Sequence, residues 1–491
     1  MIVFLPIMMI LYRNTPMKAR NGLLLGASLV FYAFGDVWNL PILLVSIVIN
    51  YFVSMQIGKK TSNAIRGGKT SKQGVAKQHV AKQHVVKQHG NVSRRRKLLL
   101  SRDFRPLCGH LIRSEKRPVL FILAFMILIN VAVLVLCKAL CKDVGIPLGM
   151  SFYTFQIISY LVDCYRGECG EKRNFLHYAN AIVMFPKLIS GPIVRYKDLA
   201  GSLESMTFSA EQLQQGLITF IYGLAMKVLL ADPIGLIWNE AQVTGFESLS
   251  TIMTWLVAGA YSLHLYFDFC GYSIMAMGLG QMMGFTLPKN FHHPYLARSI
   301  RAFYRRWHIT LGNWFRDYVY IPLGGSKKGE IRTWFSLLVV WTLTGLWHGF
   351  TWNFMLWSGI LYILIVIERI LGKAAFWKQL TILPHVYVLM VIPITWMCFA
   401  IQDMADLQIY LGRMFGYVDG INVNTLDWVM ALKRYWVVLV AGVVVSTPIV
   451  EKLYERLKKH LWGQIIIGLL FWLCLWQIWK QGANVFRYSQ F

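Results

Sequence analysis

Acidic residues are scarce in this chain of 491 residues: 23 Asp and Glu stand against 50 Lys and Arg, a formal net charge of +27. Charge of either sign is also scarce, at 15% of residues, while 56% are hydrophobic and the mean hydropathy is +0.48. So little charge in so apolar a chain points to an integral membrane protein. It also weakens any nucleic-acid reading of the basic surplus, because basic loops in polytopic proteins mark the cytoplasmic face. No nucleic-acid partner is expected. Cysteine is sparse too: the pairs Cys137/Cys141 and Cys164/Cys169 are off zinc-ribbon spacing and lie in apolar context, so no disulfide framework and no metal are expected. The alternating pattern of a membrane β-barrel is missing, which excludes that class. Residues 1–12 have no basic n-region and no small-residue cleavage site, so they read as a retained helix.

What the chain does have is a succession of apolar runs long enough to cross ~30 Å of hydrocarbon. The expected fold is an all-α polytopic integral membrane protein, with roughly ten to thirteen transmembrane or re-entrant helices around a central tunnel. It is expected to form a single domain over residues 1–491, with a basic loop at 58–117 inside it. That loop repeats Lys-Gln-His around His79, His84 and His89, a low-complexity pattern that reads as a solvated segment able to face anionic lipid. With Arg13, Lys18 and Arg20 it is assigned to the cytoplasmic side. Pro147 and Gly149, and again Pro186 and Pro192 beside charges, predict broken helices lining protein or a water-filled cavity. Helical runs are expected at 212–230 and 252–267, with Asp268 opening the next helix, and residues 402–434 read as a polar loop.

The densest polar cluster lies in residues 290–353. It holds Arg305-Arg306-Trp307-His308, then Asn313-Trp314-Phe315-Arg316-Asp317, and later Gly345-Leu346-Trp347-His348-Gly349. Ionisable residues at membrane depth cost a few kcal/mol or more and mark functional sites by default. Burial disfavours the imidazolium, so a deep histidine stays neutral, the form a general base needs. His348, with Gly345 and Gly349 beside it, is expected to sit deep with little side-chain bulk on either side, so that a substrate can approach. Arg305 and Arg306, just before His308, suit a phosphate or an acidic carrier surface. Arg316 and Asp317 either face substrate or simply pair with each other.

These residues carry a resemblance. Asn290-Phe291, Pro294-Tyr295-Leu296, Arg305-Arg306-Trp307-His308, Trp314-Phe315-Arg316-Asp317-Tyr318, Ile321-Pro322-Leu323-Gly324-Gly325 and Gly345-Leu346-Trp347-His348-Gly349 resemble the membrane-bound O-acyltransferase family. The likeness is to its bacterial alginate O-acetylase branch, and more distantly to the teichoic acid D-alanyl transferase branch. It implies that His348 is catalytic, that His308 is catalytic or tunnel-lining, and that Arg305, Trp307, Asn313, Arg316, Asp317 and Trp347 lie along the substrate path. It further implies a multi-pass enzyme of the bacterial cytoplasmic membrane with no bound cofactor. Its donor substrate would be acetyl-CoA, another acyl-CoA or an acyl carrier protein on the cytoplasmic side. The partners implied are membrane lipid and an extracytoplasmic acetyltransferase or polysaccharide acceptor. D-alanyl transfer to teichoic acid and a channel or transporter remain as alternatives. The chain departs from the nearest branch at Ile274, where relatives commonly carry Asp, and at Gly312, where a Ser or Thr is usual. The tail Phe486-Arg487-Tyr488-Ser489-Gln490-Phe491 resembles a terminal motif whose tyrosine, here Tyr488, would relay the acyl group.

Overall fold

A computed structural model of the chain describes residues 4–84, 117–140, 146–169, 174–189, 191–372, 382–417 and 423–481; of residues 64–84 it describes the backbone alone. Among the described residues the secondary structure is helical, without strands. The chain begins with α1 (Phe4–Asn14), α2 (Met17–Asp36), α3 (Leu40–His84), α4 (Arg117–Leu140), α5 (Met150–Arg166), α6 (Phe175–Val183) and α7 (Tyr196–Ser205). Next come α8 (Ala210–Ala225), a π-helical segment at Met226–Ala231, α9 (Asp232–Thr244) and α10 (Thr251–Met282). The polar stretch supplies α11 (Ile300–Tyr304), α12 (Ile309–Phe315), a second π segment at Arg316–Tyr320 and α13 (Glu330–His348). It is followed by α14 (Trp352–Leu371), α15 (Leu383–Ala400), α16 (Met404–Phe415), α17 (Asp427–Val445), α18 (Pro448–Leu457) and α19 (Leu461–Gln481).

Among the described residues, seven helical stretches are long and apolar enough to cross a membrane: Leu40–Asn63, Arg117–Leu140, Ala210–Thr244, Trp352–Leu371, Leu383–Ala400, Asp427–Val445 and Leu461–Lys480. The chain is a polytopic α-helical membrane protein. The helix that ends at His348 is not one of the seven, since Glu330 and Arg332 open it and Thr342, Thr344 and His348 close it.

The chain divides into two compact units. In the one built of Leu29–Ile182 and Arg195–Ala200, α3 and α4 are joined by a reciprocal amide pair. Asn130 Nδ2 donates to Asn50 Oδ1 at 2.9 Å, and Asn50 Nδ2 donates back to Asn130 Oδ1 at 3.2 Å. Each amide thereby satisfies the other where water is absent, which is what ties helices together in lipid. The rings of Tyr51, Tyr160 and Tyr178 pack at 4.6–5.6 Å between centroids. The expected interruption at Pro147 and Gly149 is present: Gly149 takes a left-handed conformation, φ 66°, and α5 starts after it. One difference from the sequence reading falls in the basic segment, whose backbone stays helical from residue 58 to His84. Ala, Lys and Gln are good helix formers, and no proline interrupts them before that point.

The larger unit, Met1–Ser28, Val183–Val194 and Gly201–Phe491, contains the polar stretch. Its central pair is α8 against α10. Gly271 lies so close to α8 that a Cβ there would sit 2.7 Å from the Gly223 carbonyl oxygen, and Gly278 stands in the same relation to Gly216. Small residues seven apart on both helices let the backbones touch.

Asp268 does not open a new helix. It lies inside α10, one continuous helix of 32 residues, and is fully buried. Lys227, in the first π segment, reaches Asp268 at 2.7 Å and Asp232 at 2.6 Å, so the carboxylate is neutralised without leaving the helix. Nor is 402–434 a continuous loop. Asp403 accepts from the backbone N–H groups of Ala405 and Asp406 and so caps α16. The buried Tyr410 hydroxyl then donates to the Thr254 carbonyl at 2.5 Å and holds α16 on α10.

A titratable tether joins the loop after α10 to α18. His293 Nδ1 faces the Ser446 carbonyl at 3.0 Å and Nε2 faces Glu451 Oε2 at 2.7 Å. Both ring nitrogens meet acceptors, so the ring is held as imidazolium. The Glu451 bond raises the His293 pKa, and the same bond pulls the Glu451 carboxyl down to about 2. The His293 contribution is complete below ~6.5 and lost as pH rises through its raised value; that of Glu451 is complete above ~4.3 and is lost only on acidification through about 2. Hydrogen-exchange protection factors across α18 should therefore fall as pH rises from near 6 to 9, and His293→Gln should abolish that trend. Protection equally steep with pH in the variant would exclude the tether.

Candidate active site

The corner at His308 is built by Asn290. His308 precedes α12 in a left-handed conformation, φ 46° and ψ 53°, which a residue with a Cβ adopts only when its surroundings hold it there. The Ile309 N–H donates to the Asn290 carbonyl at 2.9 Å. The Asn290 side-chain oxygen accepts from the Thr310 hydroxyl at 2.9 Å and the Thr310 N–H at 3.3 Å, and it lies 3.0 Å from His308 Nδ1. Asn290 Nδ2 donates to the Ser273 hydroxyl at 3.2 Å. Thr310 Oγ1 also accepts from the Ile193 N–H at 3.1 Å, so the broken segment after Val183 bears on the same corner. The His308 ring is 3% exposed, edge-on to Phe269 at 4.7 Å, and burial pushes its pKa down to about 3. It is a neutral imidazole at physiological pH.

His348 is the last residue of α13, and its setting differs from the sequence expectation. The space at its two neighbouring glycines is filled. The rings of Trp347, Phe354, Trp357 and Phe399 stand 4.6–6.0 Å from its own. Gly345 and Gly349 admit α14, not substrate: a Cβ on Gly345 would lie 2.4 Å from the Ser358 hydroxyl, and one on Gly349 would lie 2.6 Å from the Phe354 ring. Asn353 fixes the far side of this cage by donating to the Phe399 carbonyl at 2.9 Å.

Both histidines line one cavity of about 600 Å³. Trp307, Trp357, Trp396 and Phe399 wall it, while Arg301, Arg305, Arg316 and Arg369 contribute cationic groups to the lining. Arg301, Arg305 and Arg316 are exposed, whereas both histidines are buried, so the charge lies toward the open side. Of the residues singled out in the sequence, Arg305, Trp307, His308, Asn313, Arg316 and His348 are brought together here. Asp317 is not on the lining; it holds Arg316 from behind at 2.7 Å, so the two do pair with each other. Trp347 is also off the lining, with its ring 6.3 Å from that of His308 and 4.6 Å from that of His348. Tyr488 lies outside the described residues.

Several contributors escaped the sequence reading. Arg301, Tyr304, Thr344, Arg369 and Trp396 line the cavity, and Glu368 anchors α11 by accepting from the Ile300 N–H at 2.5 Å and the Arg301 N–H at 3.1 Å. Glu368-Arg369, a charged pair near the end of an apolar helix, was the available signal. Gly312 lines the cavity with open space before it, the nearest atom to a built Cβ being 3.8 Å away. The hydroxyl near His308 comes from Thr310 by way of Asn290.

An aromatic-walled cavity with two buried histidines and exposed arginines on its open side could support proton transfer on an anionic substrate. The model of the membrane-bound O-acyltransferase family matches residues 167–402, which include every residue lining the cavity. The probable alginate O-acetylase of Pseudomonas putida is 31% identical over 85% of this chain and 79% of its own. The peptidoglycan O-acetyltransferase of Helicobacter pylori is 30% identical over 85% of this chain and 77% of its own. The teichoic acid D-alanyltransferase of Bacillus subtilis is 30% identical over 41% of this chain and 53% of its own. The chain belongs to the membrane-bound O-acyltransferase family and is an O-acyltransferase; the channel or transporter alternative falls away.

Gly345→Ala should destabilise the α13–α14 contact, since its methyl group would meet Ser358 Oγ at 2.4 Å and the Phe354 carbonyl at 3.0 Å. Overpacking of this kind costs ~1–3 kcal/mol. Gly345→Ala with Ser358→Gly should recover part of the lost thermal stability. A single variant as stable as wild type would show that the contact yields freely.

Proposed function

We propose that this enzyme takes an acetyl group from a thioester donor on the cytoplasmic side and passes it on for O-acetylation of a cell-surface or exported polysaccharide. The observation that carries the reading is the one cavity shared by two buried histidines, with arginines on its open side. Thioester carriers such as acetyl-CoA and acyl carrier protein both bear phosphate, which arginine binds well. The relatives named for O-acetylation align over 85% of the chain, the D-alanyltransferase over 41%, which supports acetyl over D-alanyl transfer. The bacterial relatives support a place in the bacterial cytoplasmic membrane.

In this reading His348 takes the proton of the acceptor hydroxyl. The hydroxyl oxygen forms the new C–O bond at the thioester carbonyl carbon, the C–S bond breaks, and the departing thiolate recovers the proton from His348. The Asn313 side chain, on the cavity wall, offers an amide N–H to the carbonyl oxygen as it gains charge. His308 presents a neutral imidazole to the same space.

With purified protein in lipid nanodiscs and labelled acetyl-CoA, His348→Ala should lower transfer by ~10²–10⁴ while the fold persists, the usual cost of losing a general base. Arg369→Gln should raise the donor KM about tenfold with little change in kcat, as loss of one charge-assisted bond predicts. A folded His348→Ala protein with wild-type turnover would remove histidine from the chemistry. Unlabelled acyl carrier protein that outcompetes acetyl-CoA would identify the carrier as donor.

A further inference from the structure

The Asn290 contacts determine more than the position of a loop. The Thr310 backbone N–H can only donate, so the Asn290 atom that faces it at 3.3 Å is the amide oxygen. That oxygen is an acceptor, so His308 Nδ1, 3.0 Å away, meets it as an N–H donor. A neutral imidazole with its proton on Nδ1 carries its lone pair on Nε2. We infer that Asn290 is a positioning residue that selects this tautomer of His308, and so determines which nitrogen the ring offers to the cavity. The Ser273 and Thr310 hydroxyls hold the amide in turn, so the selection is rigid. The inference rests on the proposed role of His308, but the proton placement stands on these contacts alone.

The charged surroundings of His308 leave this selection to Asn290. From α10 the neighbour is the Phe269 ring, while Asp268 on the same helix is paired with Lys227. The other titratable groups sharing the cavity are His348, Tyr304, Tyr320 and the arginines, of which Arg301, Arg305 and Arg316 are exposed. Among the described residues, no carboxylate lines this cavity. A carboxylate placed at position 290 would therefore introduce a negative charge where the ring now meets a neutral oxygen.

The test compares the full-length wild type with Asn290→Asp and Asn290→Leu in nanodiscs, using diethyl pyrocarbonate, which modifies neutral imidazole, and peptide mass spectrometry to follow each histidine against pH. In Asn290→Asp the pH midpoint for His308 should move upward by about one unit or more, as a histidine gains from an adjacent carboxylate. The His348 midpoint should stay in place. Asn290→Leu should leave the His308 midpoint near wild type and lower acetyl transfer from acetyl-CoA roughly ten- to a hundredfold, the cost of losing the group that orients a working histidine. Identical His308 midpoints in wild type and Asn290→Asp would overturn the inference, as would a His308 that resists the reagent in every protein while His348 reacts. Transfer by His308→Ala is measured alongside. If that variant keeps wild-type turnover, the catalytic reading of His308 fails, and the reagent profiles still decide whether Asn290 places its proton.

Discussion

A polar group in a chain surrounded by lipid must find its partner inside the protein, because hydrocarbon offers none. That constraint shapes several of the features described above. It pairs Asn50 with Asn130 across two helices, and it sets Lys227 between Asp232 and Asp268. It also sets the Asn290 amide against His308, Thr310 and Ser273 at once. Interrupted helices are the means by which the chain brings such groups together. The first π segment carries Lys227 toward α10, the second begins at Arg316 on the cavity wall, and the left-handed turn at His308 places its ring against Asn290.

The cavity extends the same logic along a gradient. Its exposed arginines keep their cationic heads accessible, where a charge costs little. Its histidines lie buried among tryptophan and phenylalanine rings, and burial holds the His308 imidazole neutral. One cavity thus holds exposed arginines and buried histidines, separated by depth.

Much of the architecture was legible in the sequence. Apolar runs located the long spans because crossing hydrocarbon imposes a length, and the proline and glycine breaks at 147–149 showed as breaks. The motif around His308 and the one ending at His348 were visible as polar residues where lipid would not tolerate them. Other features were misread for a common reason. Asp268 looked like a helix start because a lone carboxylate in an apolar run is costly, and its partner Lys227 lies 41 positions away, on another helix. The glycines beside His348 looked like room for substrate, since a sequence does not show that Ser358 and Phe354 fill the space.

By itself, then, the sequence determined the class of molecule, the approximate spans and the two histidines, because hydrophobic length and displaced polar residues are local properties of the chain. Tertiary structure alone decided which groups meet. It placed Arg369 of α14 on the same wall as Arg305, took Asp317 off the lining to brace Arg316, and caged His348 in rings from α13, α14 and α15. It also gave His308 its proton arrangement through Asn290, 18 residues earlier in the chain. Hydrogen bonds and packing depend on distances across helices, and those are set only when the helices close on one another.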